Sequence, residues 1–215
     1  MNILITAGPT HEPIDPVRFI ANHSSGKMGI ALAEEFAARG HRVILIKGPS
    51  HLNAANPEIR QINIQTAAEM FEACSQYFDS SDVVIFAAAV ADYTPKHTSA
   101  TKIKKSESEF SIELIKTKDI AAELGKRKKS NQIIVGFALE TNNEEANARE
   151  KLLKKNSDFV VLNSMQDEGA GFQKDTNKIT IIDREGNVTK FDLKTKNEVA
   201  NDIANYVFKI ANSVK

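Results

Sequence analysis

Hydrophobic and polar positions along this chain follow two alternating patterns. Short apolar runs recur between longer segments whose apolar residues fall at helical spacing. The run Asn2–Ala7 ends at a Gly-Pro turn signal and predicts a buried first strand. The segment from Gly26 to Arg39 predicts a helix that ends at Gly40, and Arg42–Lys47 predicts the next strand. The chain therefore begins with a predicted βαβ unit.

The same alternation continues through the middle of the chain. Predicted strands lie at Ile59–Ile64, Val83–Val90, Phe110–Ile115, Ile133–Ala138 and Phe159–Leu162. Predicted helices run from a capping box at Thr66 to about Phe78, over Asp119–Lys128, and from a second capping box at Thr141 to about Asn156. Val83–Val90 is apolar on both faces, which is typical of a central parallel strand, whereas Phe110–Ile115 alternates as a half-buried strand does.

The last part of the chain has a different pattern. Lys178–Ile182 and Val188–Leu193 alternate and are joined by a polar turn, which predicts a β-hairpin. A capping box at Thr195 then opens a final helix to about Val214. We predict a single domain over residues 1–215. It is of the α/β class, with a Rossmann-like, doubly wound, mostly parallel sheet and an antiparallel strand appendage at about residues 174–195.

A long polar loop separates the first strand from the first helix. It runs from Gly8 to Gly29 and holds few apolar residues. Long irregular loops inside compact domains are uncommon unless they have a function or are disordered. In doubly wound sheets, small ligands bind beyond the carboxyl ends of the strands, and the first such loop often receives phosphate at the amides of the following helix. This loop is therefore the first place to look for function.

Composition narrows the classes of partner. The 215 residues carry 28 Lys and Arg and 28 Asp and Glu, so no global field recruits nucleic acid or an acidic membrane. Cys74, the single cysteine, excludes an internal disulfide and falls in a helical pattern, where packing is its expected role. No apolar run is long enough to span a bilayer, and Met1 leads directly into the first strand. We expect a cytoplasmic protein.

Two common nucleotide motifs are incomplete. No G-x-G-x-x-G lies in the first turn, and Lys47-Gly48 stands where an acid that binds ribose is expected, which disfavours a nicotinamide cofactor. The run from Ser25 to Met28 resembles the end of a P-loop but lacks the upstream glycine and the hydroxyl residue after the lysine. Of the five histidines, none has metal-ligand spacing, so no structural zinc is expected.

Several polar residues fall at predicted carboxyl ends of strands, and each has a functional and a structural interpretation. Ser24, Ser25 and Gly26 either present donors to an anion or cap a helix. The Asn22 amide either donates to a developing oxyanion or occupies a turn. Asp92 either accepts from a nucleotide or ends a strand. Lysine pairs 102 and 104, and 151 and 155, either bind phosphates or form solvated surface.

The combination of these segments resembles one family, phosphopantothenate–cysteine ligase in its bacterial form, over almost the whole chain. The most specific blocks are Ile5-Thr-Ala-Gly-Pro-Thr10, Pro13-Ile-Asp-Pro-Val-Arg18, Asn22-His-Ser-Ser-Gly-Lys-Met-Gly29, Ala87-Ala-Ala-Val-Ala-Asp-Tyr93, Lys102-Ile-Lys-Lys105 and Val135-Gly-Phe137 with Glu140-Thr141. A string of such blocks in order is more specific than any one motif.

The resemblance implies an enzyme of coenzyme A biosynthesis, a ligase that joins acids to amino acids. The carboxylate of 4′-phosphopantothenate attacks the α-phosphate of CTP, with Mg²⁺ as the companion of the triphosphate, to give an acyl-cytidylate and pyrophosphate. The amino group of L-cysteine then displaces CMP and forms 4′-phosphopantothenoyl-L-cysteine. The resemblance also implies a homodimer to which the appended strands contribute, and a possible association with phosphopantothenoylcysteine decarboxylase.

Residue by residue, the resemblance assigns roles at matching positions. Asn22 and Lys102 are the expected catalytic residues, Lys102 acting on the triphosphate, and Arg18 and Asn22 are expected at the phosphopantothenate site. The expected nucleotide-binding residues are Gly8, Ser24, Ser25, Gly26, Ala88, Asp92, Lys102, Asp119, Ile120, Phe137, Lys151 and Lys155. No protein ligand to the metal is assigned, because Mg²⁺ keeps phosphate oxygens and waters.

One departure from the family pattern keeps two other functions open. Thr117-Lys118 stands where an Asn-Pro pair precedes Asp119 and Ile120 in the family, so the nucleotide contact at this turn is in doubt. A nucleotide-sensing module without turnover would bind nucleotide but release no pyrophosphate. A nicotinamide-dependent reductase on a variant fold would instead bind NADPH and transfer hydride.

Overall fold

The structure, a computed structural model, describes residues 1–104, 110–140, 142–164 and 174–213. Its helices are α1 (Lys27–Ala38), α2 (Ala67–Phe78), α3 (Ile120–Gly125), α4 (Glu144–Lys154) and α5 (Lys196–Ser213). Its strands are β1 (Asn2–Ala7), β2 (Glu12–Pro13), β3 (Phe19–Ile20), β4 (Arg42–Lys47), β5 (Arg60–Asn63), β6 (Val83–Phe86), β7 (Tyr93–Pro95), β8 (Leu114–Lys116), β9 (Ile133–Glu140), β10 (Phe159–Ser164), β11 (Thr176–Asn177), β12 (Ile179–Asp183), β13 (Val188–Lys190) and β14 (Lys194–Thr195).

One sheet of eight strands organises the fold, in the order β13-β12-β10-β9-β6-β1-β4-β5. The six strands from β10 to β5 pair in parallel, and β12 and β13 add antiparallel strands beyond β10. Short antiparallel pairs, β2 with β3, β7 with β8 and β11 with β14, lie outside this sheet. The predicted class, a Rossmann-like, mostly parallel sheet with an antiparallel appendage, is confirmed.

Helices cover both faces of the sheet. Odd-numbered residues of the central strands, such as Ile5, Val135 and Val161, pack in one cluster with buried residues of α1 and α5. Even-numbered residues, such as Leu4, pack with α2 and α3, and a smaller cluster packs under α4. Because side chains alternate along a strand, the face of any later residue in these strands follows from its number.

Local signals in the sequence correspond to observed helix ends. Thr66 and Glu69 form the predicted capping box at α2. Thr195 and Glu198 exchange the equivalent bonds at α5, because the Thr195 amide donates to Glu198 Oε2 at 2.9 Å and the Glu198 amide to Thr195 Oγ1 at 3.3 Å. Gly40 has φ of 80° just beyond α1, where a left-handed residue ends a helix.

The predicted strand Val83–Val90 was too long, because β6 ends at Phe86. Beyond it, side-chain oxygens replace the sheet ladder. Thr6 Oγ1 accepts from the Ala88 amide at 3.1 Å, and Thr10 Oγ1 accepts from the Ala91 amide at 3.0 Å. The chain after β6 is thus held by the first strand and its loop.

Other predicted bounds also changed. Of Phe110–Ile115 only Leu114 and Ile115 are in a strand, β8, which is exposed because β7 is its one partner in the described part of the chain. The predicted helix Asp119–Lys128 shortens to α3. The cap of α4 is Asn143 in a left-handed conformation without a side-chain bond, while the predicted cap Thr141 lies outside the described residues.

The tail also differs in detail from its prediction. β10 continues through Asn163, where the sequence predicted a stop. The predicted hairpin is present as β12 and β13, and β12 pairs with β10 of the same chain. The predicted helix end at Val214 lies outside the described residues. None of the helices in the described part is both long and apolar enough to cross a membrane.

Candidate active site

A cavity of about 750 Å³ opens at the carboxyl ends of the central parallel strands. Its walls come from β1, β6, β9 and β10, from the loop before α1, from the turn before α3, from α4 and from the start of α5. The predicted site residues that line it are Asn22, Ser24, Ser25, Gly26, Ala88, Asp92, Asp119, Ile120, Phe137, Lys151 and Lys155. The parallel topology explains this assembly, since it brings the ends of these strands to one edge.

The loop before α1 presents the helix start to the cavity. Gly26 precedes α1 in a left-handed conformation, and no side chain caps the helix. Ser24 Oγ accepts from the Gly26 amide at 3.3 Å, and the Ser25 carbonyl accepts from Ser50 Oγ at 2.7 Å. The structural interpretation of these serines as ordinary helix caps therefore does not hold. The arrangement leaves the first turn of α1 suited to an anion.

Three glycine-containing turns pack against one another beneath this loop. A Cβ on Gly48 would lie 1.7 Å from the Pro9 carbonyl oxygen, and one on Gly26 would lie 3.3 Å from the Gly8 Cα. Gly8 itself has φ of 81° and its carbonyl accepts from the Ala89 amide at 2.9 Å. Gly8 does not line the cavity and instead supports the loop that does.

Asn22 lines the cavity and bonds to the segment that follows β6. Its Nδ2 donates to the carbonyls of Ala89 at 3.2 Å and Val90 at 3.1 Å. The nearby segment is held from the other side, because Thr117 Oγ1 donates to the Ala91 carbonyl at 2.6 Å and the Thr117 amide to the Asp92 carbonyl at 2.9 Å. Thr117, which replaces the asparagine of the family pattern, therefore stabilises the segment around Asp92.

The wall formed by α4 and α3 carries ion pairs. Lys151 Nζ lies 2.6 Å from Glu140 Oε1, and Lys155 Nζ lies 3.7 Å from Asp119 Oδ1. Asp119 also accepts from the Ala122 amide at 3.1 Å as the cap of α3, so it has a structural role beside any contact with nucleotide. Phe137 is partly buried on the α1 and α5 face of the sheet.

Arg18 and Lys102 are both described by the structure, and neither lines the cavity. The Arg18 guanidinium pairs with the Asp15 carboxylate, whose side chain is fully buried, and also donates to the Ile103 carbonyl at 3.0 Å. The Ile103 amide donates to Asp15 Oδ2 at 3.1 Å. Hydrogen bonding from Arg18 is the main reason that the pKa of Asp15 falls well below its usual range. Exposed Lys102 therefore directly precedes Ile103, whose main chain is held by Arg18 and Asp15.

Several cavity residues were not among the predicted site residues. They are Lys27, Lys116, Lys118, Lys154, Asn163, Asn177 and Lys196. Lys196 is only 6% exposed, and its ammonium donates to the main-chain carbonyls of Lys174 and Thr176. Burial, followed by the nearby Lys27 ammonium, lowers the pKa of Lys196, while the Asp175 carboxylate raises it. In the sequence, Lys196 is part of the capping box of the last helix and gives no sign of a binding role. Its place in the cavity follows from the pairing of β11 with β14, which only the structure shows.

The cavity is electropositive although the chain has no net charge. Among the residues that the structure describes, seven lysines line it, against the carboxylates of Asp92 and Asp119. Cys74 is buried, and burial raises the pKa of its thiol to about 12, which agrees with a packing role. Within the described ranges, no three His, Cys, Asp or Glu side chains come together as a metal site needs.

A doubly wound α/β domain with a lysine-rich cavity at the carboxyl ends of its strands defines a class of protein that binds anionic ligands of nucleotide size. Comparison with known families identifies the family within this class. The chain belongs to the family described as the DNA/pantothenate metabolism flavoprotein C-terminal domain, whose model matches residues 1–210.

Individual relatives agree with this membership. The chain is 48% identical over 202 residues to the Coenzyme A biosynthesis bifunctional protein CoaBC of Bacillus subtilis, covering 94% of this chain and 50% of that protein. It is 57% identical over 201 residues to a Cysteine/Cysteine sulfinic acid decarboxylase from an unknown prokaryotic organism, covering 94% of this chain and 56% of that protein. The chain therefore spans about half the length of the curated relatives it matches.

A solved structure matches over nearly its full length. It is the crystal structure of the C-terminal domain of Coenzyme A biosynthesis bifunctional protein CoaBC, with a TM-score of 0.84 and 40% identity. The match covers 99% of this chain and 96% of that one.

Proposed function

We propose that this chain is a phosphopantothenate–cysteine ligase that uses CTP. The observation that carries the proposal is the assembly of the sequence blocks at residues 22–29, 87–93 and 135–137 around one electropositive cavity at the carboxyl ends of the strands. The match to the C-terminal domain of a coenzyme A biosynthesis protein supports the same function.

The proposed reaction has two steps. A carboxylate oxygen of 4′-phosphopantothenate attacks the α-phosphorus of CTP, the bond to the β-phosphate breaks, and pyrophosphate leaves. The neutral amino group of L-cysteine then attacks the acyl carbon, and CMP leaves with the electron pair of the broken C–O bond. The nitrogen, an ammonium in free cysteine, gives up two protons in all as the amide forms.

The residues divide between the two steps. The main-chain amides at the start of α1, with Ser24 and Ser25, and the lysines Lys151 on α4 and Lys155 at its end, would receive phosphates, because helix-start amides and ammonium groups favour negative charge. Asn22 would donate its amide N–H to the acyl oxygen as charge develops there. To do so it must exchange a bond to Ala89 or Val90 for one to the substrate.

Magnesium and protein partners complete the proposal. Mg²⁺ would neutralise triphosphate charge, bound mainly through phosphate oxygens. We also propose a homodimer and a cytoplasmic location. An association with phosphopantothenoylcysteine decarboxylase fits the longer relatives, which carry about as much chain again. Within one chain β12 and β13 extend their own sheet, so a partner at this edge would meet β13.

Pyrophosphate release tests the proposal directly. Purified protein is incubated with 4′-phosphopantothenate and Mg²⁺, with CTP or ATP, and with or without L-cysteine. We expect sustained release with CTP that depends on cysteine, because only cysteine clears the acyl-cytidylate for another turnover. No release with either nucleotide, from folded protein, would overturn the ligase function and favour a module that binds nucleotide without turnover.

The decarboxylase name of one relative supplies a second arm of this experiment. That protein is nearly twice as long as the matched region, so its named activity need not lie in the shared part. CO₂ release from L-cysteine without nucleotide is measured in parallel, and NADPH is offered to test a reductase. We expect neither reaction.

The Lys102→Gln variant tests the role of the lysine segment. Lys102 lies outside the cavity in this structure, so the proposed contact requires its segment to approach the bound triphosphate. On this proposal we expect the variant to raise the KM for CTP about ten-fold and to leave the KM for 4′-phosphopantothenate within two-fold, because it removes one ammonium contact to phosphate. Initial rates of pyrophosphate release over both substrates measure this. An unchanged KM for CTP would remove Lys102 from the triphosphate site.

A further inference from the structure

Two lysines and one carboxylate form a charge cluster on the side of the cavity formed by α1 and α5. The cluster consists of Lys27, Asp175 and Lys196, and both lysines line the cavity. The Lys27 ammonium forms an ion pair with Asp175, whose side chain is 85% exposed. Lys27 stands in the sequence block of residues 22–29, but the roles proposed above use none of these three side chains.

The cluster is built into the fold. The Lys196 ammonium bonds to the carbonyls on either side of Asp175, and the Lys196 amide donates to the Asp175 carbonyl at 3.0 Å. Asn177, 3% exposed, follows in β11 and also lines the cavity. Asp175 and Lys196 are therefore held together at the start of α5, facing Lys27 at the start of α1.

The remaining cavity lysines belong to other elements. They are Lys116 and Lys118 beside α3, and Lys151, Lys154 and Lys155 on α4 or at its end. That larger group suits the several charges of a triphosphate. Among the described residues the cluster has two ammonium groups and one carboxylate, which provide partners for a ligand that carries one carboxylate and one ammonium group.

The ion pair is also suited to exchange. An ion pair with one highly exposed partner contributes little to stability, so opening it costs little. A zwitterionic amino acid presents a carboxylate and an ammonium group a short distance apart. Inserted across the pair, it would give its carboxylate to Lys27 and Lys196 and its ammonium group to Asp175.

We propose that Lys27 and Lys196 bind the α-carboxylate of the amino-acid substrate, with Asp175 as the exchangeable counterion. This inference rests on the proposed ligase function and assigns its amino-acid subsite. If the cluster binds this carboxylate, the enzyme prefers cysteine to a similar amine that lacks the carboxylate. The nucleotide step, which precedes amino-acid attack, does not require the cluster.

The test compares L-cysteine with cysteamine, which keeps the amine and thiol and lacks the carboxylate. We expect the wild type to prefer cysteine by at least ten-fold in kcat/KM. Lys27→Gln, at a half-buried position, should lower kcat/KM for cysteine about ten-fold and leave that for cysteamine within two-fold. Pyrophosphate release in a single turnover without cysteine should not change.

Two further variants complete the design. Lys196→Gln should show the same selective loss, and because this residue is buried its folding is checked by thermal unfolding. Lys126→Gln, at an exposed lysine paired with Glu123 at the end of α3, is the matched control and should behave as wild type.

The outcomes separate the two proposals. Equal losses for cysteine and cysteamine in Lys27→Gln, or a wild type that uses both equally, would overturn the amino-acid subsite. A lower single-turnover yield of pyrophosphate in Lys27→Gln would assign the cluster to the nucleotide and would also overturn it. A wild type that releases no pyrophosphate would instead reject the ligase function itself.

Discussion

Asn22→Asp is expected to slow the attack of cysteine on the acyl-cytidylate by about 10²–10³-fold, the usual cost of losing one oxyanion donor. The amide N–H that would meet the developing charge is replaced by a carboxylate, which repels it. The acyl-cytidylate should still form, because that step needs the phosphate contacts and not this donor. Rapid mixing, with the intermediate trapped before cysteine is added, measures the two rates separately.

The matched control is Asn205→Asp. Asn205 accepts from Arg39 at 2.9 Å on α5, and an aspartate keeps that acceptor. The control should leave both steps unchanged. A variant at Asn22 that cannot form the intermediate, yet consumes supplied intermediate at the normal rate, would contradict the assigned role.

Gly48→Ala is expected to cause the largest loss of stability among the glycine substitutions considered for this protein. The added Cβ would lie 1.7 Å from the Pro9 oxygen, a main-chain atom that cannot rotate away. The two turns must separate, which we expect to cost at least about 3 kcal/mol. For a chain of this size that lowers Tm by roughly 6–12 °C, measured by calorimetry or circular dichroism.

Gly40→Ala is the control for backbone strain alone. Gly40 has a similar positive φ of 80°, but nothing lies within 4 Å of its added Cβ. Its cost should stay near the roughly 1–2 kcal/mol of a left-handed alanine. Equal losses in the two variants would show that the close approach at Gly48 is not what limits this substitution. Gly48→Ala should also impair pyrophosphate release, because Gly8 and the loop above it rest on the same turns.

Local sequence determined most of the regular elements of this protein. β1 and β4 begin and end where the apolar runs do, and α2 begins at its capping box, because these signals act within a few residues. The predicted strand Phe110–Ile115 was wrong over most of its length. Its alternation was correct in kind, but tertiary structure supplies no sheet to pair with it beyond β7.

Recognition of the site divides in the same way. The loop before α1 and the segment after β6 could be selected because they follow apolar strands whose carboxyl ends meet at one edge. The positions of Arg18 and Lys102 outside the cavity could not be predicted from the sequence. They depend on the buried Asp15 carboxylate, which bonds to Arg18 and to Ile103, almost ninety residues away in sequence.

The sequence by itself thus determined the α/β class, the order of its main elements, and the strand ends at which ligands bind. It could do so because apolar periodicity and helix caps are local properties of the chain. Only the tertiary structure decided which charges share the cavity. Lys27 and Lys196 are neighbours because α5 packs against α1 and the β11–β14 pair closes beside the start of α5. Their electrostatic interaction depends on this distance in space, whatever their separation along the sequence.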